Sequence, residues 1–294
     1  MIALWIRMRH LVASLLSLAH LVANAKGCIL LFFIFLGFPL PSLASSSKEI
    51  HGWLGTSLSH FSFAEYDSNG DKLLEEKGFL PGIQAGIKLE QGKWFLQGKI
   101  DLLKGDVDYK GQTNTGIGLL TETDETIMQV DINLGNWLAV RTPWRFGVYG
   151  ELGYRWWLRD IHSTDIAEGI SETYTSWFGN IGVDFEYTLS ENLTASINGH
   201  VIIPIDSNLE ASLPNRDTIS LDLQEKIGFA VSASFAWKWS ESLQFVLSPN
   251  YYYWRFGRSG TKQITWKGFP VGTIYEPDST TKNISVKLNI IYMF

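Results

Sequence analysis

From residue 45 to its last residue the chain alternates apolar and polar side chains with a period of two, over segments longer than ordinary strands. In residues 146–159 one face reads Phe146, Val148, Gly150, Leu152, Tyr154, Trp156 and Leu158. The other reads Gly147, Tyr149, Glu151, Gly153, Arg155, Trp157 and Arg159. Residues 177–189 repeat the pattern, with Trp177, Gly179, Ile181, Val183, Phe185, Tyr187 and Leu189 against Phe178, Asn180, Gly182, Asp184, Glu186 and Thr188. Successive side chains of a strand point to opposite faces, so each segment carries one apolar and one polar surface. Globular strands run to about 5–6 residues, and these run to roughly 10 or more, the length that crosses a bilayer at a tilt.

Ten strands are predicted, near 49–62, 79–90, 93–105, 125–138, 145–160, 173–189, 193–206, 218–238, 242–257 and 281–294. Short turns fall at Glu90-Gln91-Gly92, Arg141-Thr142-Pro143, Ser190-Glu191-Asn192 and Ser240-Glu241. Long polar connections fall near 63–78, 106–124, 161–172, 207–217 and 258–280. Even strand number, short turns on one side and long loops on the other describe an all-β, transmembrane, antiparallel up-and-down barrel. Closure satisfies every backbone polar group, which lipid demands. Trp53, Trp94, Trp137, Trp144, Trp156, Trp177, Trp237, Trp239 and Trp254 lie near strand ends and are read as interfacial girdles.

Both ends of the chain bear on location. Residues 1–44 hold Arg7, Arg9 and Lys26 but no acidic residue. An apolar run from Cys28 to Leu36 follows, then Gly37, Pro39, Pro41 and the small-residue site Ser42-Leu43-Ala44. That order describes a secretory leader at 1–44, cleaved after Ala44, with the barrel at 45–294 and an alternative start at Met8. Neither apolar run reaches the ~20 residues of a spanning helix. Losing the leader takes the formal net charge from −6 to −9 and removes Cys28, the one cysteine. An acidic chain of this kind is a poor partner for nucleic acid, and it carries no thiolate metal site and no motif for a cofactor. At the other end, Ile284, Val286, Leu288, Ile290, Tyr292 and Phe294 line one face, and Phe294 is the final residue. This closing alternation resembles the assembly signal of Gram-negative outer-membrane proteins, which implies the barrel-assembly machinery and outer-membrane lipid, including lipopolysaccharide, as partners.

With apolar faces outward, Lys88, Lys99, Asp101, Asp131, Glu151, Arg155, Arg159, Asp184, Glu186, His200, Lys238 and Lys287 face the lumen. Arg155 and Arg159 on the fifth strand share a side with Asp184 and Glu186 on the sixth, and are expected to pair across strands. A small barrel is little wider than its side chains, so a lumen plugged by ion pairs is expected rather than an open pore.

Ten strands, five outer loops and this rhythm resemble the omptin family of outer-membrane proteases, most of all in residues 136–154 and in the closing strand to Phe294. The resemblance implies an Asp-x-Asp pair in the second outer loop, which Asp106-Val107-Asp108 matches in spacing and position. It also implies an Asp-x-His pair in the fourth loop, and there residues 206–215 hold no histidine. His200 lies six residues before Asp206 inside the strand, and His162 lies in the third loop. Without that base, water activation lacks its proton acceptor. Asp106 and Asp108 are the candidates the resemblance offers, and no catalytic set is assigned.

The first functional expectation is therefore a surface protein whose loops contact a ligand, a host surface or lipopolysaccharide, through residues such as Tyr109, Gln112, Trp266, Phe269 and Tyr275. A narrow channel for small solutes and an omptin-like protease with an altered site are the alternatives.

Overall fold

The computed structural model describes residues 48–294, apart from 114 and 115. The leader expected at 1–44 lies outside the described residues. Among the described residues every regular element is a β-strand.

Ten antiparallel strands close into a barrel. In chain order the wall is β1 (Lys48–Tyr66), β2 (Lys72–Gln91), β3 (Trp94–Gln112), β4 (Gly118–Arg141), β5 (Trp144–Ile161), β6 (Ile170–Ser190), β7 (Leu193–Ser212), β8 (Ile219–Asp222) with β9 (Gln224–Lys238), β10 (Leu243–Gly257) and β13 (Asp278–Met293). Between β10 and β13, β11 (Lys262–Trp266) and β12 (Phe269–Ile274) form a separate hairpin. β1 pairs with β13 from His51↔Met293 to Tyr66↔Asp278, so first and last strands zip the barrel shut. β8 and β9 both pair with β7 and form one wall strand broken at Leu223. Apart from that break, the ten predicted strands are the observed ones.

The outer face carries an apolar belt. Leu54, Leu58, Phe79, Ile83, Ile87, Ile181, Val183, Phe235, Trp237 and the alternate residues Ile284 to Phe294 are all exposed. Ten residue steps from Ile284 to Phe294 span about 34 Å of strand, or about 26 Å of height at a tilt near 40°, the height of a membrane-facing band.

The strands do not stop at the belt, and this corrects the long loops expected from the sequence. Most of 63–78, 106–124 and 207–217 is strand, 161–172 keeps a connection at 162–169, and the other connections left are residues 67–71, 113–117 and 213–218. The polar character there marks wall that stands in water on its outer face, where period two continues without an apolar outside. In 258–280 the chain forms the β11–β12 hairpin, turned by Lys267 (φ 50°) and Gly268 (φ 81°), as a type I′ turn requires.

Three further expectations change. Trp137 and Trp254 are fully buried inside the barrel rather than in a girdle, and Trp53 turns inward over Gly86. Each shares the inward parity of its neighbours. Tyr109, expected on a loop surface, is buried on β3. The pairing of Arg155 and Arg159 with Asp184 and Glu186 does not occur. The antiparallel register sets Arg155 opposite Ser176 and Arg159 opposite Glu172, while Glu186 faces Arg145 at the turn end.

Candidate functional site

The lumen is built in layers, and the alternation on each strand decides what each layer contains. In the outer half, inward positions are large: Phe61, Phe63, Trp157, Tyr174, Phe178, Trp254 and Phe256 are each at most 2% exposed. Their rings meet edge to face or stacked, with Phe63–Trp157 at 5.3 Å, Trp157–Tyr174 at 4.7 Å and Phe178–Trp254 at 5.1 Å between centroids. Such offset geometry follows from the ring quadrupole.

Arg159 lies among these rings with no exposure, its guanidinium 4.3 Å from the Phe63 ring centroid. It donates to Glu76 through Nη2 at 2.9 Å and Nε at 3.2 Å. Through Nη1 it donates to Glu172 at 2.6 Å and to the Tyr174 hydroxyl at 3.0 Å. Glu65 and Glu125 lie at 3.5 and 3.9 Å. Thr123 donates to Glu76, the Trp157 indole to Glu125, and the Tyr174 hydroxyl to Glu276 at 2.8 Å. Five glutamates thus surround one arginine. Like charges this close, in a site with little water, cannot all ionise. Glu276, in the segment between β12 and β13, has its pKa raised well above the ordinary value, first by burial and then by Glu65 and Glu172.

Below this plug a cavity of about 180 Å³ lies at mid-barrel. Its wall on β1, β9, β10 and β13 is made of small polar side chains, including Ser57, Ser59, Ser232 and Asn283. The wall opposite carries Lys99, Asp101 and Arg155 on β3 and β5, and Lys287 reaches towards it from β13. Lys99 lies 3.4 Å from Asp131 and 3.7 Å from Glu151, and Lys287 donates to Asp101 at 2.7 Å. Glu151 accepts from Asn133 and Asn180. His200 is half-buried at the cavity's edge, its Nδ1 3.0 Å from the Tyr149 hydroxyl, which donates to Asn198. Asn198 in turn donates to Asp184 at 2.6 Å.

At the turn end Arg145 bridges Glu90 and Glu186, at 3.2 and 2.6 Å, and lies 4.0 Å over the Trp137 ring. Lys88 pairs with Glu90. Thus Glu151, Arg155, Arg159, Asp184, Glu186 and Lys287 all line the lumen, distributed over three levels. They are not one network.

Asp106 and Asp108 stand elsewhere. Both are exposed on the outer wall of β3, opposite Asp124 and Glu122 of β4, while Val107 between them takes the inward position. His162 reaches Asp124 at 3.1 Å, also on this outer wall. No lumen group is shared between this patch and the buried layers. Tyr292 and Phe294 are exposed at the foot of β13, their rings 4.9 Å apart, and the Phe294 amide donates to the Ile50 carbonyl.

The sequence reading missed Glu65, Glu76, Glu125, Glu172, Tyr174 and Glu276. The signal was available for most of them. Glu76 shares the parity of Leu80, Gln84 and Lys88, and Glu65 that of Ser59, Phe61 and Phe63. Those segments read as loops only because their outward faces are polar too.

The fold has counterparts. A family model described as outer membrane protein beta-barrel domain matches residues 30–236. Among solved structures, the outer membrane protease OmpT from Escherichia coli is similar with a TM-score of 0.60 at 12% identity, over 86% of this chain and 100% of that one. The outer membrane protein OprG from Pseudomonas aeruginosa matches at 0.39 and 9% identity, over 86% and 98%. The attachment invasion locus protein Ail of Yersinia pestis matches at 0.34 and 10%, over 84% and 99%. Identities this low concern the fold alone. Among curated proteins none matches the sequence.

Proposed function

Because this chain belongs to the outer membrane protein beta-barrel domain family, we propose that it acts as a sealed barrel of the bacterial outer membrane whose outer wall and outer hairpin contact ligands or surfaces. The observation that carries this reading is the outer-half plug. Seven aromatic side chains and the Arg159 cluster leave the outer half of the lumen without exposed inward side chains. A barrel blocked at that level offers no continuous aqueous path, so what meets the exterior is its outside. There the β11–β12 hairpin shows Trp266, Phe269 and Val271, 48%, 70% and 49% exposed. Exposed aromatics on a loop-borne element are ordinary contact residues.

The leader read at 1–44 and the closing Tyr292–Phe294 alternation support export and delivery through the barrel-assembly machinery of a Gram-negative envelope. Lipopolysaccharide is then the outer-leaflet lipid that the wall meets. An omptin-like peptidase reading rests on a shared fold, and fold does not fix function. The outward Asp106 and Asp108 give it no site inside the barrel.

The test is conductance. Purified protein reconstituted in planar bilayers is expected to give no discrete current steps. Regular steps in the wild-type protein would replace this reading with a channel.

A further inference from the structure

We propose that the mid-barrel cavity is a binding site for a small oxoanion, a carboxylate, sulfate or phosphate, gripped by the free edge of Arg155. Arg155 is 3% exposed, and its Nε and Nη2 have no hydrogen-bond partner. These two nitrogens form one edge of the guanidinium, the fork that takes an oxoanion with two parallel bonds. The other surroundings of the group are the Tyr252 hydroxyl and the rings of Trp157, Tyr252 and Trp254, at 5.5, 5.6 and 5.5 Å.

Two more buried residues of the same cavity carry unpartnered polar atoms. They are Ser59 (Oγ) and Asn283 (Oδ1), 1% and 7% exposed. Water could satisfy hydrogen bonds but not charge, and charge distinguishes Arg155. The cavity's other cations are paired, Lys287 with Asp101, and Lys99 with Asp131 and Glu151, which stand behind it. Arg155 forms no ion pair among the described residues. Lys99, Arg155 and Lys287 therefore face the cavity against one lining carboxylate, Asp101. A buried cation without a counter-charge is costly, and an anion on its unpartnered edge removes that cost.

Size and access agree. About 180 Å³ is the share of roughly six water molecules at ~30 Å³ each, enough for acetate, sulfate or phosphate with some water. The outer plug shuts the cavity from outside. Towards the turn end, inward residues of β7, β9 and β13 such as Ser196, Ser234 and Asn289 are half-exposed, on the side away from the buried Phe95–Trp137–Tyr149 cluster of β3, β4 and β5, and that side is the route for solutes from the periplasm. Lipid cannot, because the wall is closed, and the ligand is a free solute.

The test is calorimetry on the barrel in nanodiscs, with sodium phosphate, sulfate and acetate titrated separately at constant ionic strength over a chloride background. Saturable one-site binding of at least one anion is expected, and the pattern among the three identifies the chemistry. Arg155→Gln should weaken it by about tenfold or more, and Arg155→Lys, which keeps charge but not the fork, should also lose most of it. Heat-modifiability on gels reports whether each variant is folded. Should Arg155→Gln not fold, Ser59→Ala, which removes one hydroxyl, supplies the test through a smaller loss of affinity. Absence of saturable binding for all three anions overturns the site, as does unchanged affinity in the folded variants.

Discussion

Arg159 is the residue on which the outer plug depends. Its guanidinium is buried with two close carboxylates, Glu76 and Glu172, and two further ones within 4 Å. Removing one partner of a buried pair leaves uncompensated charge, at about 3–5 kcal/mol. Arg159→Met is therefore expected to lower the barrel's stability by that order at pH 8, measured by tryptophan fluorescence during urea unfolding from lipid vesicles. Glu276 gives the converse case. Burial and two neighbouring glutamates raise its folded pKa above the unfolded value. Its ionisation is thus easier in the unfolded chain, and the fold loses stability as pH rises from the unfolded pKa towards the folded one. Glu276→Gln keeps an oxygen for the Tyr174 hydroxyl and removes the ionisation. The variant should melt higher than the parent, by a margin that widens from pH 4 to pH 9, and a margin independent of pH would show that the fold does not raise the Glu276 pKa above its unfolded value.

Strands here are matched pairwise across the lumen side, large against absent. Phe178 on β6 stands opposite Gly153 on β5, and a Cβ on Gly153 would lie 2.2 Å from the Phe178 ring and 2.5 Å from Asp131. Tyr149 on β5 stands opposite Gly182 on β6 in the same way. An inward aromatic laid over a neighbouring glycine fixes strand register, since a slip would drive the ring into a side chain. Gly153→Val should cost about 1–3 kcal/mol through overpacking. Gly98→Val, where a Cβ would meet nothing within 4 Å, should be near neutral in the same unfolding assay. At the outer end, the β11–β12 hairpin leans on the wall through Asp217, which accepts from Thr265 and from the Gly268 amide. Deleting residues 262–274 should leave heat-modifiability intact and lower binding to lipopolysaccharide-containing vesicles severalfold. Unchanged binding would move the contact surface elsewhere on the wall.

For the whole molecule the decisive quantity is where the lumen is closed. The plug lies in the outer half with the cavity beneath it, and inward residues of β7, β9 and β13 towards the turn end are half-exposed. The sealed barrel and the internal site, the two proposals, both rest on that placement. Conductance in planar bilayers tests the seal and anion calorimetry tests the site, and either can fail without the other.

The chain's own alternation determined the barrel, because period two over long segments is imposed by strand geometry and leaves each residue's side of the wall readable. Lys99, Glu151, Arg155, Arg159 and Lys287 were legible as lumen residues on that ground alone. The same rule, carried through 63–78 and 161–172, would have placed Glu65, Glu76 and Glu172 inside as well. Polar outer faces above the membrane concealed them. Which residues meet was not legible, because partners depend on strand register and on reach across the lumen. Arg159 finds Glu76, eighty-three residues away on a strand that is not its neighbour, while Glu186, which shares its inward face, sits at the opposite end. Only the closed tertiary structure brings β1, β2, β4, β5, β6 and the segment before β13 to one level, gathers five glutamates around one arginine, and leaves the buried Arg155 edge without a partner beside the cavity.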